Sequence, residues 1–305
     1  MKATNRNYGR TAGRFAPFVS TVIAGAICLG LSGGAAMAVD KKPKPMHAAG
    51  IEPGAKLVEE LDPQAFDRSE NIDHPYWPLK PGMQWIYEGT AEEDGEKVPH
   101  RIVFTVTDLT KVIGGVRTRV ILDADYSKGK LLEKELTFFA QDKVGNVWHL
   151  GQYREIYEDE FVGGRIWNVG NPEGSKAGIM MPANPKVGTP SFSEGYSPPP
   201  FNWTDRGRVY QVGQKNKVTA GSYDDVLVIE EFDAESKVDA FQLKYYARGV
   251  GNIRIGWRGK NAVEREELQL VKVHQLSPKE FAEARATALD LEKRASMYCT
   301  LPPAQ

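Results

Sequence analysis

Carboxylates dominate the side chains that could do chemistry in this sequence. Asp123 and Asp125 occupy alternate positions, which in a strand puts both on one face about 7 Å apart, a spacing at which two acids can flank a glycosidic bond. His149 follows Trp148 in a segment of strand period, with Glu155 on the same face by parity and Glu158, Asp159 and Glu160 just beyond. Such a carboxylate-rich rim can hold a cation or move a proton. Glu194 lies between Phe192 and Tyr196, where aromatic neighbours would strip water from a carboxyl group and raise its pKa. Glu155 and Glu194 are therefore the candidate catalytic acids, should the protein cleave an extracellular glycan.

Other chemistries lack their residues. The histidines His47, His74, His100, His149 and His274 show no HxH, HExxH or Cys/His spacing, so no metal site is expected. There is no GxSxG elbow, Walker loop or GxGxxG, and no cofactor is expected. Asp224 and Asp225 follow Gly221-Ser222 and read as turn residues.

The elements that would carry these groups are mostly strands. His100–Thr107 places Ile102, Phe104 and Val106 on one face, and Leu131–Ala140 does the same with Leu132, Leu136 and Phe138. Similar runs recur at 83–89, 116–125, 146–157, 165–169, 208–212, 226–232, 241–247, 253–257 and 263–273. Asp94-Gly95, Gly114-Gly115, Lys128-Gly129, Gly163-Gly164, Gly221-Ser222 and Gly249–Gly251 read as the turns between them. The expected fold is mainly β: an antiparallel curved sheet, open barrel or two-layer architecture, with one C-terminal helix. Ser277, Pro278 and Glu280 announce that helix with a capping box, and Phe281, Ala284, Ala288, Leu291 and Ala295 give it an apolar stripe.

Lys2, Arg6, Arg10 and Arg14 precede an apolar run that ends in Ala36-Met37-Ala38, so residues 1–38 read as a cleaved signal peptide and the chain as periplasmic or secreted, with no membrane span after cleavage. Removing the leader's four basic residues leaves 35 basic against 40 acidic side chains, a net −5, which argues against nucleic-acid binding. Cys28 leaves with the leader, and Cys299 alone cannot close an intramolecular disulfide. Residues 39–75 read as an extended arm with a short helical turn near Leu57–Leu61, 76–275 as the β domain, 276–297 as the helix and 298–305 as a frayed tail.

Residues 170–207 carry Pro172, Pro182, Pro185, Pro190 and the triplet Pro198, Pro199, Pro200, a density that excludes regular strands. Phe192, Tyr196, Phe201 and Trp203 would hold this loop over the sheet as a lid. In that arrangement Phe192 and Phe201 anchor it, while His149, Tyr196 and Trp203 face a ligand.

The strings YWPLKPGMQWIYEG (76–89), QDKVGNVWHLGQ (141–152), AGIMMPANPKVG (177–188), SYDDVLVIEE (222–231) and YYARGVGNIRIG (245–256) resemble, in this order, a group of secreted bacterial proteins of unassigned function. The resemblance implies an exported, mostly β domain and assigns no site. With no catalytic signature in view, the leading expectation is a non-enzymatic exported domain that binds a small molecule, a glycan or an envelope protein. A carboxylate-dependent glycan hydrolase or lyase, and a structural envelope or matrix protein, are the alternatives.

Overall fold

Tight turns fold the chain back on itself. Gly114 and Gly115 have φ of 56° and 81°, and Lys128 and Gly129 of 52° and 79°; positive φ at both positions matches the twist of the flanking strands. The computed structural model describes residues 51–305 apart from 94, 159, 172–173, 199–202, 235–238, 261–264 and 300. The leader, the first part of the arm and Phe201 lie outside the described residues.

In chain order the strands are β1 (Ile72–His74), β2 (Trp77–Leu79), β3 (Met83–Glu93), β4 (Glu96–Ile113), β5 (Val116–Ser127), β6 (Lys130–Gln141), β7 (Val147–Glu158), β8 (Glu160–Asn168), β9 (Lys176–Met181), β10 (Phe192–Ser193), β11 (Gly195–Tyr196), β12 (Asp205–Val218), β13 (Gly221–Asp233), β14 (Phe241–Ala247), β15 (Gly251–Arg258) and β16 (Glu266–Gln275), followed by the helix α1 (Pro278–Ala295). The class is the one expected: mainly antiparallel β, with a single C-terminal helix among the described residues.

β1 and β2 form a hairpin. The other strands make one sheet that curls into a nearly closed barrel, in the order β10-β12-β13-β14-β15-β16-β3-β4-β5-β6-β7-β9-β11, with β8 beside β7. Its two ends meet in a single stretch of chain. Phe192 and Ser193 pair with Gly207 and Arg206 of β12, and Gly195 and Tyr196 pair with Ala177 and Lys176 of β9. Gly178 permits the approach, because a β-carbon there would collide with the Glu194 backbone.

Residues 170–207 therefore hold the strands that close the barrel, where a strandless lid was expected. Pro182, Pro185, Pro190 and Pro198 fall between the strands, so proline density marked the connections and hid the pairing.

The arm straps this seam from outside. Ser191 donates to both carboxylate oxygens of Glu52, from N at 2.6 Å and Oγ at 2.9 Å. Arg206 donates to Ser191 Oγ (2.9 Å), Ser191 O (2.7 Å) and Leu57 O (3.2 Å). The arm's short turn is a 3₁₀ helix at Pro63–Ala65 capped by Asp62, in place of the turn expected at 57–61. Phe66 then packs edge-on against Trp148, centroids 6.0 Å apart.

On the outer face α1 covers β4–β6 and β8, burying Ala288, Leu291 and Ala295 beside Leu136, Phe138 and Val120. Ser277 and Glu280 form the capping box. The tail is docked, contrary to the fraying expected. Gln305 exchanges backbone hydrogen bonds with Thr110 at 2.7 and 2.8 Å, and Ala304 is buried.

Candidate functional site

Antiparallel register lets the barrel interior be read rung by rung. At one end the β1–β2 hairpin inserts Ile72, Trp77 and Leu79 into the core, and Trp77 packs against Phe139 of β6 (5.0 Å) and Tyr246 of β14 (6.1 Å), strands on opposite sides of the sheet order. Away from that plug, every second residue of each strand points inward. Along β6 the series runs Phe139, Thr137, Glu135, Glu133; along β5 it runs Ile121, Asp123, Asp125, Ser127. On β14 Tyr246 gives way to Lys244, on β13 Ile229 to Glu231, on β16 Leu268 to Glu266, and on β4 Ile102 to His100. The interior thus changes from apolar at the plugged end to charged in the far half.

One rung crosses four strands: Asp123, Glu135, Arg154 and Arg165 stand side by side on β5, β6, β7 and β8. Arg154 pairs with Glu133 and lies 3.8 Å from Glu135, which also accepts from Gln152 Nε2 at 2.6 Å. His100 Nε2 lies 3.1 Å from Asp125 and 4.0 Å from Glu266. Lys244 Nζ lies 2.7 Å from Glu231, toward the seam where Glu194 and Asp205 are buried. Carboxylates outnumber bases here. Asp123, Asp125, Glu133, Glu135, Glu194, Asp205, Glu231 and Glu266 face His100, Arg154, Arg165 and Lys244, and all but the half-buried Arg165 are buried.

Burial and mutual repulsion decide the protonation of this half. Burial pushes Glu135 up to about 8, with the charge of Asp125 adding to the rise and Arg165 opposing it. Burial likewise raises Glu266 to about 7, with His100 opposing, and holds Asp123 well above the usual carboxylate range with help from Glu135. Glu194 and Asp205 are raised by burial and by Glu231. Burial works against a charge on His100, yet its hydrogen bond to Asp125, with Glu266 and Glu93 nearby, keeps its pKa above the ordinary value. Burial and Arg165 lower Arg154 to about 9.

An acid with a raised folded pKa contributes stability that is complete below its unfolded value, 4.5 for Glu135, and is lost as the pH rises through the folded value. His149, lowered by burial to about 3, has the opposite sign and loses its contribution as the pH falls below 6.5. The thermal midpoint should therefore fall between about pH 6.5 and 8.5, and Glu135→Gln should flatten that fall. A midpoint that rises over this window would show that these acids are ionised in the fold.

No family model and no curated protein matches this chain. Two solved structures resemble it in part. One is a candidate exported protein with a YmcC-like fold from Bacteroides fragilis NCTC 9343, at 12% identity and TM-score 0.37, matching 65% of this chain and 98% of its own. The other is a candidate lipoprotein from Parabacteroides distasonis ATCC 8503, at 14% identity and TM-score 0.36, with the same coverage.

The residues singled out from sequence separate in space. His149 is fully buried inside the barrel, against Trp167 (4.8 Å), Phe139 (5.0 Å) and Trp203 (5.7 Å), with Nε2 3.0 Å from Gly151 O. Glu155 stands on the opposite face, because a bulge at Leu150 sets Phe138 and Phe139 against Gly151 and His149 and reverses the parity beyond it. There Glu155 accepts from Arg294 Nε (2.6 Å) and NH2 (3.0 Å), Tyr153 Oη (2.8 Å) and Tyr157 Oη (2.6 Å). Burial would raise its pKa, but these donors outweigh that and hold it low. Glu155 is thus the anchor of α1 on the outer face, whereas Glu194 is buried near Glu231 and Lys244.

Glu194 does sit in the dry surroundings expected, at the seam. Trp203 is 2% exposed and Phe192 is buried with it, while Tyr196 is half-buried on β11. Asp123 and Asp125 share an inward face as the spacing indicated. Cys299 accepts from Asn168 Nδ2 and Leu301 N, both at 3.3 Å. Among the described residues no three His, Cys, Asp or Glu side chains are placed to hold a metal ion.

Proposed function

We propose that this chain is an exported, non-enzymatic β-barrel domain that binds a small polar molecule in the charged half of its interior. The single observation that carries the reading is the gradient along the barrel. Charged groups are placed where an apolar filling would be cheaper, and oxygens of Asp123, Glu133, Glu135 and Glu266 have no hydrogen-bonding partner in the protein. A barrel of more than eight strands also encloses more width than its own side chains fill.

The test is a thermal-shift screen of the mature protein against small polar metabolites spanning sugars, amino acids, amines and carboxylic acids. A ligand at about 100 times its Kd adds about 2.7 kcal/mol, a rise of several degrees for a domain of this size. The near-isosteric variants Glu135→Gln and Glu266→Gln should diminish that shift. No shift with any class, or shifts that both variants leave unchanged, would remove the interior as the site.

Export rests on the leader alone. N-terminal sequencing of the exported protein should read Val39 as its first residue, and a product beginning at Met1 would contradict it.

A further inference from the structure

Three acceptors at adjoining inward positions of the charged half have no hydrogen-bonding partner in the protein, with Arg154 Nε 3.8 Å from Glu135 Oε1. Asp123 and Glu135 are directly opposed on β5 and β6, and Thr137 is the next inward residue of β6, opposite Ile121 and Gln152. Asp123 Oδ1, Glu135 Oε1 and Thr137 Oγ1 are all buried and make no hydrogen bond within the protein. Thr137 is 2% exposed, and a buried hydroxyl that faces an interior of this kind without a partner is costly unless something else engages it.

Opposed positions on neighbouring strands have β-carbons about 5 Å apart, and the next same-face position lies about 7 Å along the strand. One tetrahedral group with three donors can engage all three oxygens at that spacing. An ammonium has three N–H donors and no acceptor, whereas a hydroxyl or carboxyl group cannot give three hydrogen bonds from one atom. Asp123 and Glu135 set two ionisable carboxyl groups at this one place, so a positive charge arriving there is matched when either gives up its proton.

We infer that Asp123, Glu135 and Thr137 receive the primary ammonium group of a small organic cation. This rests on the reading of the barrel interior as a ligand site and adds the chemical class. The bases that face the triad are Arg154 on β7 and Arg165 on β8, and the acids beside it are Asp125 on β5 and Glu133 on β6. Glu266, near His100, Asp125, Lys244 and Glu231, titrates in the same interior. Because Glu135 and Asp123 are held protonated by burial and by acidic neighbours, an arriving ammonium favours their ionised forms and releases protons. Amine affinity accordingly rises with pH, by about tenfold per unit for one proton released, up to about pH 8 where Glu135 titrates.

The experiment is calorimetric titration of the mature protein with putrescine, with the isosteric neutral 1,4-butanediol and with succinate, each in phosphate and in HEPES, which has no primary amine, near neutral pH. Expected is saturable putrescine binding with butanediol about 100-fold weaker or more. The buffer dependence of the heat should report about one proton released per amine bound. Glu135→Gln should weaken putrescine by about ten- to hundredfold, and Thr137→Val by a smaller factor.

Proton release is measured on the unaltered protein, so the inference stays open to refutation should a variant fold poorly. No putrescine saturation by about 10 mM, binding without proton release, or binding that neither variant weakens would overturn it. If butanediol or succinate binds instead and Glu135→Gln abolishes that, the ammonium assignment falls while the interior site survives. If none of the three binds, the ammonium assignment falls, and the metabolite screen decides the interior site separately.

Discussion

Replacing Trp203 with alanine is expected to destabilise the protein by about 3–5 kcal/mol. The indole lies tilted against Trp167 at 4.8 Å and edge-on to His149 at 5.7 Å, and its backbone forms two hydrogen bonds with Ser197 across the barrel seam, at 2.9 and 3.0 Å. A β-carbon on Gly195 would strike the Trp203 ring, so the ring is seated against bare backbone. Truncation leaves a void that these neighbours cannot collapse into without breaking the seam pairing, which places the cost at the upper end for a buried aromatic. For a domain of this size the thermal midpoint should drop by about 10 °C. A drop of less than about 1 kcal/mol in urea unfolding would show that Trp203 faces solvent, as a surface ligand contact would.

The second large effect is at the foot of α1. Lys111 of β4 pairs with Glu292 of the helix, both side chains at most 3% exposed, and Ala304 N also donates to the Glu292 carboxylate at 3.3 Å. Lys111→Met leaves a carboxylate buried beside apolar neighbours and should cost about 3–5 kcal/mol. The double variant Lys111→Met, Glu292→Leu should recover most of that, because two apolar side chains of similar volume carry no desolvation penalty. Urea unfolding of both single variants and the double one closes the cycle. A double variant as unstable as Lys111→Met alone would mean that Glu292 is needed to hold the tail.

Strand positions and the capped helix were legible because local alternation and capping chemistry are written in neighbouring residues. Which way each alternating face points was not. The apolar faces of β4 and β6 point to opposite sides of the sheet: Ile102 and Phe104 line the interior, whereas Leu136 and Phe138 lie under α1. Charges alternating with an outward apolar face, as Glu133 and Glu135 do with Leu136, read from sequence as solvent-facing. Recognising them as interior needs the closure of the barrel, which depends on a pairing at residues 192–196 that propinquity does not signal. Asp123 and Asp125 were found by spacing, but Lys244, Glu231, Arg154 and Glu266 were missed for this reason. His149 and Glu155 were assigned one face because a bulge at Leu150 has no local signature. Gly163 and Gly164 read as a turn, yet they lie within β8, where the ring of Tyr153 covers the space a side chain on Gly164 would need.

The order of strands in the barrel has a kinetic consequence. β3–β9 form one run of neighbours and β12–β16 another, and the two join where β3 meets β16, with Met83 paired to Gln275, and at the seam. A chain emerging from its N-terminus builds the first half with β3 and β9 both exposing unpaired backbone until the second half arrives. Pairings this distant along the chain are slow to form, and open strand edges invite association between molecules. Refolding should therefore be slow and its yield should fall with protein concentration, with losses set by the lifetime of the half-barrel.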